Sequence, residues 1–110
     1  MGREVSVLSK YHAKKVTVNG ITFDSKHEAE RWAELQILQR AGVIEKLKRQ
    51  VRFELIPPQK GDRGVSYYAD FTYLQNGELV VEDAKGFKTP EYIIKRKMML
   101  WLHKIRIREV

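Results

Sequence analysis

Residues 66–85 read SYYADFTYLQNGELVVEDAK, and how this stretch pairs with itself decides the fold. Two runs rich in aromatic and β-branched residues, 66–74 and 78–85, flank Asn76-Gly77. Asn-Gly supplies both positive-φ residues of a type I′ turn, so the spacing predicts a tight β-hairpin. A two-residue loop sets Gln75 opposite Glu78, which brings Asp70 across from Asp83 and Tyr68 across from Lys85. Directly opposed side chains have Cβ atoms roughly 4.5–5.5 Å apart. Because strand side chains alternate, Asp83 and Lys85 share a face while Glu82 points the other way.

Like charges directly opposed destabilise a sheet. Either the face is wet and Lys85 offsets the repulsion, or a divalent cation sits between the carboxylates. Tyr67, Tyr68, Ala69, Phe71, Val80 and Val81 make the surroundings apolar or aromatic, which favours the cation. Carboxylate oxygens are hard ligands suited to Mg²⁺ or Mn²⁺. Such an ion polarises a phosphoryl oxygen and lowers the pKa of bound water. Lys85 then serves to orient that water or to stabilise charge on a phosphate, or simply pairs with the aspartates.

Working outward, Val16-Thr17-Val18 and Ile21-Thr22-Phe23 flank a second Asn-Gly and read as a hairpin. Ser25 with Glu28 three residues on fits a capping box that opens a helix, and Gly42 stops it after Ala41. Leu47, Arg49, Val51, Phe53 and Leu55 alternate in a strand ending at Pro57-Pro58, and 59–64 reads as a loop. Thr89-Pro90 starts a second helix that ends near His103. Ile105 and Ile107 alternate with basic residues in a last strand. The fold class is α/β, one small domain over 16–110: a hairpin, then helix, three-strand meander, helix, strand. Residues 1–15 read as a basic flexible arm.

The chain of 110 residues is 43% hydrophobic and 32% charged, as expected of a globular domain. No apolar run approaches the length of about 18 residues that a membrane span needs. The first residues show no secretory pattern, and with no cysteine the expected compartment is the cytoplasm, or the host cytoplasm if a phage encodes the protein. A net charge of +7, from 21 Lys and Arg against 14 Asp and Glu, attracts polyanions, with DNA the expected partner and no membrane. The basic residues are spread along the chain, which suits phosphate attraction without base-specific readout.

Tyr68-Ala69-Asp70, a turn, and Asp83-Ala84-Lys85 resemble the PD-(D/E)XK, or restriction-endonuclease-like, nuclease superfamily, with alanine in place of proline before the first aspartate. The element order is similar to that superfamily's core. Phe23-Asp24-Ser25-Lys26-His27-Glu28-Ala29 and Val81-Glu82-Asp83-Ala84-Lys85-Gly86-Phe87-Lys88 resemble a family of small phage and prophage proteins of unknown function. The helix-opening pattern also resembles the endonuclease subunit of heteromeric transposases. The resemblance implies Asp70, Asp83 and Lys85 as catalytic residues, with an acidic residue of the first helix completing the metal site. Glu28 is the candidate, since it shares a helical face with Trp32 and Leu35, though it is also the capping-box residue. Gln50 resembles a polar position that some relatives place near the metal, which makes it a candidate DNA-binding residue, or else a surface strand residue. Lys95 and Lys97 are further candidates for DNA phosphate, or for a solvated face. Trp32 and Trp101 read as core anchors, and His12, His27 and His103 as ordinary surface residues.

The expected function is a metal-dependent endodeoxyribonuclease for phage DNA recombination, repair or processing, selective for DNA structure in preference to a long sequence. A homodimer would match the two-fold symmetry of duplexes or junctions. The competing reading is a non-catalytic DNA-binding or packaging accessory that retains the fold. It predicts salt-sensitive binding that needs no Mg²⁺.

Overall fold

A computed structural model describes residues 14–110. The elements are β1 (Val16–Val18), β2 (Ile21–Phe23), α1 (Lys26–Arg40), β3 (Glu45–Ile56), β4 (Val65–Gln75), β5 (Glu78–Asp83), α2 (Pro90–His103) and β6 (Arg108–Glu109). Strands β1 and β2 form their own hairpin, and the other four form a sheet in the order β3-β4-β5-β6. The first three of these are antiparallel, and β6 joins β5 in parallel after the α2 crossover. Most of the arm, with His12, lies outside the described residues.

Both Asn-Gly pairs make the expected turns, with φ of 52° and 80° at Asn19-Gly20 and 54° and 80° at Asn76-Gly77. The β4–β5 register is the expected one: Gln75 faces Glu78 and Phe71 faces Glu82. Ser25 caps α1 by accepting from the Glu28 amide, and Thr89 caps α2 with Pro90 in its first turn. β5 stops at Asp83, two residues earlier than expected. The last strand is only Arg108–Glu109, because Lys104 closes α2 in the left-handed region (φ 60°) and Ile105 and Ile107 are still packing into the core.

Two apolar clusters sandwich the sheet. Leu35, Ile44, Phe71, Tyr73 and Ala84 pack under α1, with Trp32 and Leu47 against them. Leu55, Tyr67, Ala69, Val81, Tyr92, Met99 and Ile107 pack under α2, with Phe53 against them. In regular strands, odd-numbered residues stay on one face. Here Tyr73 and Phe71 belong to the α1 cluster but Ala69 and Tyr67 to the α2 cluster, and on β3 Leu47 and Phe53 divide the same way. The sheet therefore changes faces at Asp70 of β4 and at Gln50 of β3. Arg49 pairs with Phe71 and Val51 with Ala69, so Gln50 stands at the level of Asp70. Gln50 has φ 49°, a left-handed conformation that a residue with a Cβ adopts only at a cost.

One core expectation is overturned. Trp32 stacks on Phe71 at 5.9 Å between centroids, but Trp101 is 75% exposed. α2 is apolar around much of its circumference, and Tyr92 and Met99, two turns apart, take the buried face. Ile94 and Trp101, also two turns apart, are left outside. The helix pattern alone did not choose between these two stripes.

Candidate metal centre

Asp83 ends β5 with its side chain fully buried. Its Oδ2 accepts a 2.6 Å hydrogen bond from the Tyr67 phenol, while Oδ1 has no hydrogen-bond partner and lies 3.5 Å from the Lys85 ammonium. Burial and then the charge of Asp70 raise the Asp83 pKa from 3.8 to about 6, against the lowering effects of Tyr67 and Lys85. Burial also pushes the Tyr67 phenol up, so it stays a donor. The wet-face account of the paired aspartates does not apply to a carboxylate with no exposed surface. Lys85 does offset the charge, and its ammonium also lies 5.2 Å from the centre of the Tyr92 ring.

Asp70 sits where the sheet changes faces, one position beyond the last β4–β5 pair. Its Oδ2 accepts the Ala84 backbone N–H at 2.8 Å, which ties it to the residue after Asp83. Its Oδ1 accepts the Gln50 amide at 3.2 Å, and the same amide donates to Glu28 Oε2 at 3.3 Å. Gln50 is thus a bridge between the sheet and α1.

Glu28 is 2% exposed and uses its two oxygens for two tasks. Oε1 accepts the Asp24 backbone N–H at 2.8 Å, closing the capping arrangement, while Oε2 takes the Gln50 amide. Capping and facing the aspartates are not alternatives here, because a carboxylate has an oxygen for each. Burial first and the Asp70 charge second raise the Glu28 pKa from 4.5 to about 7. Leu35 of the same stripe is buried, as expected.

Glu28, Gln50, Asp70, Asp83 and Lys85 are therefore brought together. Among the described residues, no group of three His, Cys, Asp or Glu side chains is spaced to hold a metal ion as it stands. The Gln50 amide between Glu28 and Asp70 occupies lone pairs that an ion would use. The donor set nevertheless fits a hard cation: the carboxylates supply only oxygen, and Asp83 Oδ1 is a buried acceptor without a hydrogen bond.

Lys95 is not part of this group, since its ammonium pairs with Glu91 at 3.0 Å along α2. Lys97 lines a groove beside β6. His27 and His103 contact the backbone carbonyls of Val110 and Glu54.

Sequence reasoning noted Glu82 only as facing away, yet it is the fully buried partner of Arg31. Arg31 Nε and Nη2 donate to its two oxygens at 2.9 and 2.6 Å, and the Tyr73 phenol donates to Oε2. This fork locks α1, which carries Glu28, onto β5, which carries Asp83. The signal available was an acid directly after the apolar run Leu79-Val80-Val81, in alternation with Val80 on the α1-facing side.

Among the described residues no helix is long and apolar enough to cross a membrane. No curated protein and no solved structure matches the chain. The family comparison does find a match, over residues 8–109, and by it the chain belongs to the DUF1064 family, described as a protein of unknown function.

Proposed function

We propose that the protein is a metal-dependent endodeoxyribonuclease that hydrolyses DNA phosphodiester bonds on a core of the PD-(D/E)XK kind, in DNA recombination, repair or processing. The observation that carries the reading is Asp83 Oδ1, a buried carboxylate oxygen with no hydrogen bond, beside Lys85 and next to the Asp70 strand. The Lys85 ammonium offsets its charge without a hydrogen bond, and a divalent cation is a partner that would complete it. Asp70, Asp83 and Glu28 would hold Mg²⁺ or Mn²⁺. When bound, the ion supplies Lewis-acid polarisation of a phosphoryl oxygen and a more acidic water.

The protein's own groups do the positioning. Lys85 is held by Asp83 and by the Tyr92 ring at the mouth of the site, where its ammonium orients water and stabilises charge on the phosphate. Tyr67 fixes the Asp83 carboxylate, and Gln50 aligns Glu28 with Asp70. In the reaction a water oxygen bonds to phosphorus, one ester P–O bond breaks, and the departing oxygen takes a proton.

The test is incubation with supercoiled plasmid, linear duplex, single strands and a four-way junction, in Mg²⁺, Mn²⁺ or EDTA. Asp83→Ala and Lys85→Ala are run alongside. Cutting that needs the metal and is lost in both variants supports the reading. Cutting that persists in EDTA or in Asp83→Ala overturns it. The +7 charge favours one other reading, a non-catalytic DNA-binding accessory, since charge attracts DNA whether or not a metal is held. Binding without cutting under every condition selects that reading.

A further inference from the structure

A groove of about 440 Å³ opens between α2 and the chain leading into β6, lined by Arg96, Lys97, Leu100, Arg106, Ile107 and Glu109. Its charges are unevenly matched. Glu109 takes Arg96 at 3.0 Å, the Tyr92 phenol at 2.7 Å and Lys88 at 3.8 Å, and the Tyr92 bond chiefly keeps its pKa low. The one carboxylate of the groove is thus already committed. Lys97 and Arg106 have no anionic partner among the described residues, and they flank an apolar floor of Leu100 and Ile107.

The groove is also connected to the candidate metal centre. Glu109 pairs with Asp83 in the β5–β6 ladder. Tyr92, bonded to Glu109, carries the Lys85 ammonium over its ring. One strand spacing, roughly 4.8 Å, separates the backbone of Asp83 from the backbone of a groove residue.

We infer that this groove binds the phosphodiester backbone of a nucleic acid strand, with Lys97 and Arg106 taking phosphates and the apolar floor taking the sugar between them. The inference rests on the nuclease reading for the chemistry next door, but the groove's binding is measurable without metal or cutting. A lone inorganic phosphate would use the cations and leave the apolar floor bare. A strand uses both. Phosphate contacts of this kind position a strand without reading its sequence.

The test is binding of a fluorescent duplex and of a single strand in EDTA, over a range of salt, with inorganic phosphate as competitor. Wild type is compared with Lys97→Gln/Arg106→Gln and with Arg40→Gln/Lys60→Gln, which removes the same charge elsewhere. Each phosphate contact contributes about 0.9 to the slope of log K against log salt. The groove variant is expected to lose about two units of slope and on the order of tenfold in affinity, and the control variant much less. Equal slopes and affinities in the two variants overturn the groove. So does competition by inorganic phosphate at concentrations comparable to DNA phosphate. If wild type still cuts DNA with Mg²⁺ in that case, only the groove is lost. If wild type neither binds nor cuts, the nuclease reading fails with it.

Discussion

The Tyr67 phenol donates to Asp83 Oδ2 at 2.6 Å, which fixes the carboxylate so that its other oxygen faces Lys85. Tyr67→Phe removes the donor and leaves a second buried acceptor unpaired, a loss of about 1–3 kcal/mol. The phenol also helps hold the Asp83 pKa down, so Asp83 in the variant ionises at higher pH than in wild type. Urea unfolding checks the first effect, and the pH at which Mg²⁺ begins to stabilise the fold checks the second. An unchanged midpoint and an unchanged Mg²⁺ profile would contradict both.

The raised pKa values of Glu28, about 7, and Asp83, about 6, fix the sign of a pH effect. In the unfolded chain these groups ionise first, near 4.5 and 3.8. Their contribution to stability is full below those values and is lost as pH rises through about 6 to 7. A bound divalent cation needs the ionised forms, so Mg²⁺ stabilisation grows over the same window. Urea midpoints across this window, in Mg²⁺ and in EDTA, measure both trends, and Glu28→Gln flattens the metal-free curve. A Mg²⁺ increment of equal size at pH about 5 and about 8 would show that these carboxylates do not take the ion.

Arg31→Ala leaves Glu82 buried without its cation. Breaking a buried pair from one side costs about 3–5 kcal/mol. Arg31→Lys keeps the charge but not the fork, and is expected to fall between the two. Thermal unfolding ranks the three proteins, and a wild-type midpoint in Arg31→Ala would mean that the pair does not hold α1 to the sheet.

Gln50→Gly removes the side-chain bridge and the backbone strain together. Glycine relieves a left-handed conformation worth about 1–2 kcal/mol but gives back about 0.5–1 kcal/mol through the freer unfolded chain. The buried Glu28 Oε2 also loses its donor, about 1–3 kcal/mol, so stability is expected to fall by about 1 kcal/mol. Metal-dependent cutting is expected to fall on the order of tenfold to a hundredfold, because Glu28 and Asp70 lose their alignment. Intact metal-dependent cutting would overturn the assignment of Gln50 as the aligning bridge.

Local rules made much of this legible. Two Asn-Gly turns set two hairpins, and the second set the register that leads to Asp70 and Asp83. Ser25, Thr89 and Pro90 marked the helix starts, because caps act over three or four residues. What the sequence did not disclose depends on contacts between distant elements. Nothing local says that the Gln50 amide will span α1 and β4, or that Glu82 will meet Arg31. The exposure of Trp101 is not legible locally, because an apolar stripe is one-sided only when the rest of the helix is polar, and α2 is not. The switch of faces was hidden for a related reason: the alternation of Leu47 to Leu55 is unbroken in sequence and changes layers only in space.

That switch has a mechanical meaning for the centre. Asp70 and Gln50 lie on the seam where the α1-side core hands over to the α2-side core, with Glu28 reaching the seam from one side and Asp83 from the other. The three acids are thus aligned by how two packed layers sit against each other, with no single loop holding them. Their spacing is a vernier of the whole sheet. A slip of either helix changes the distances between the carboxylates.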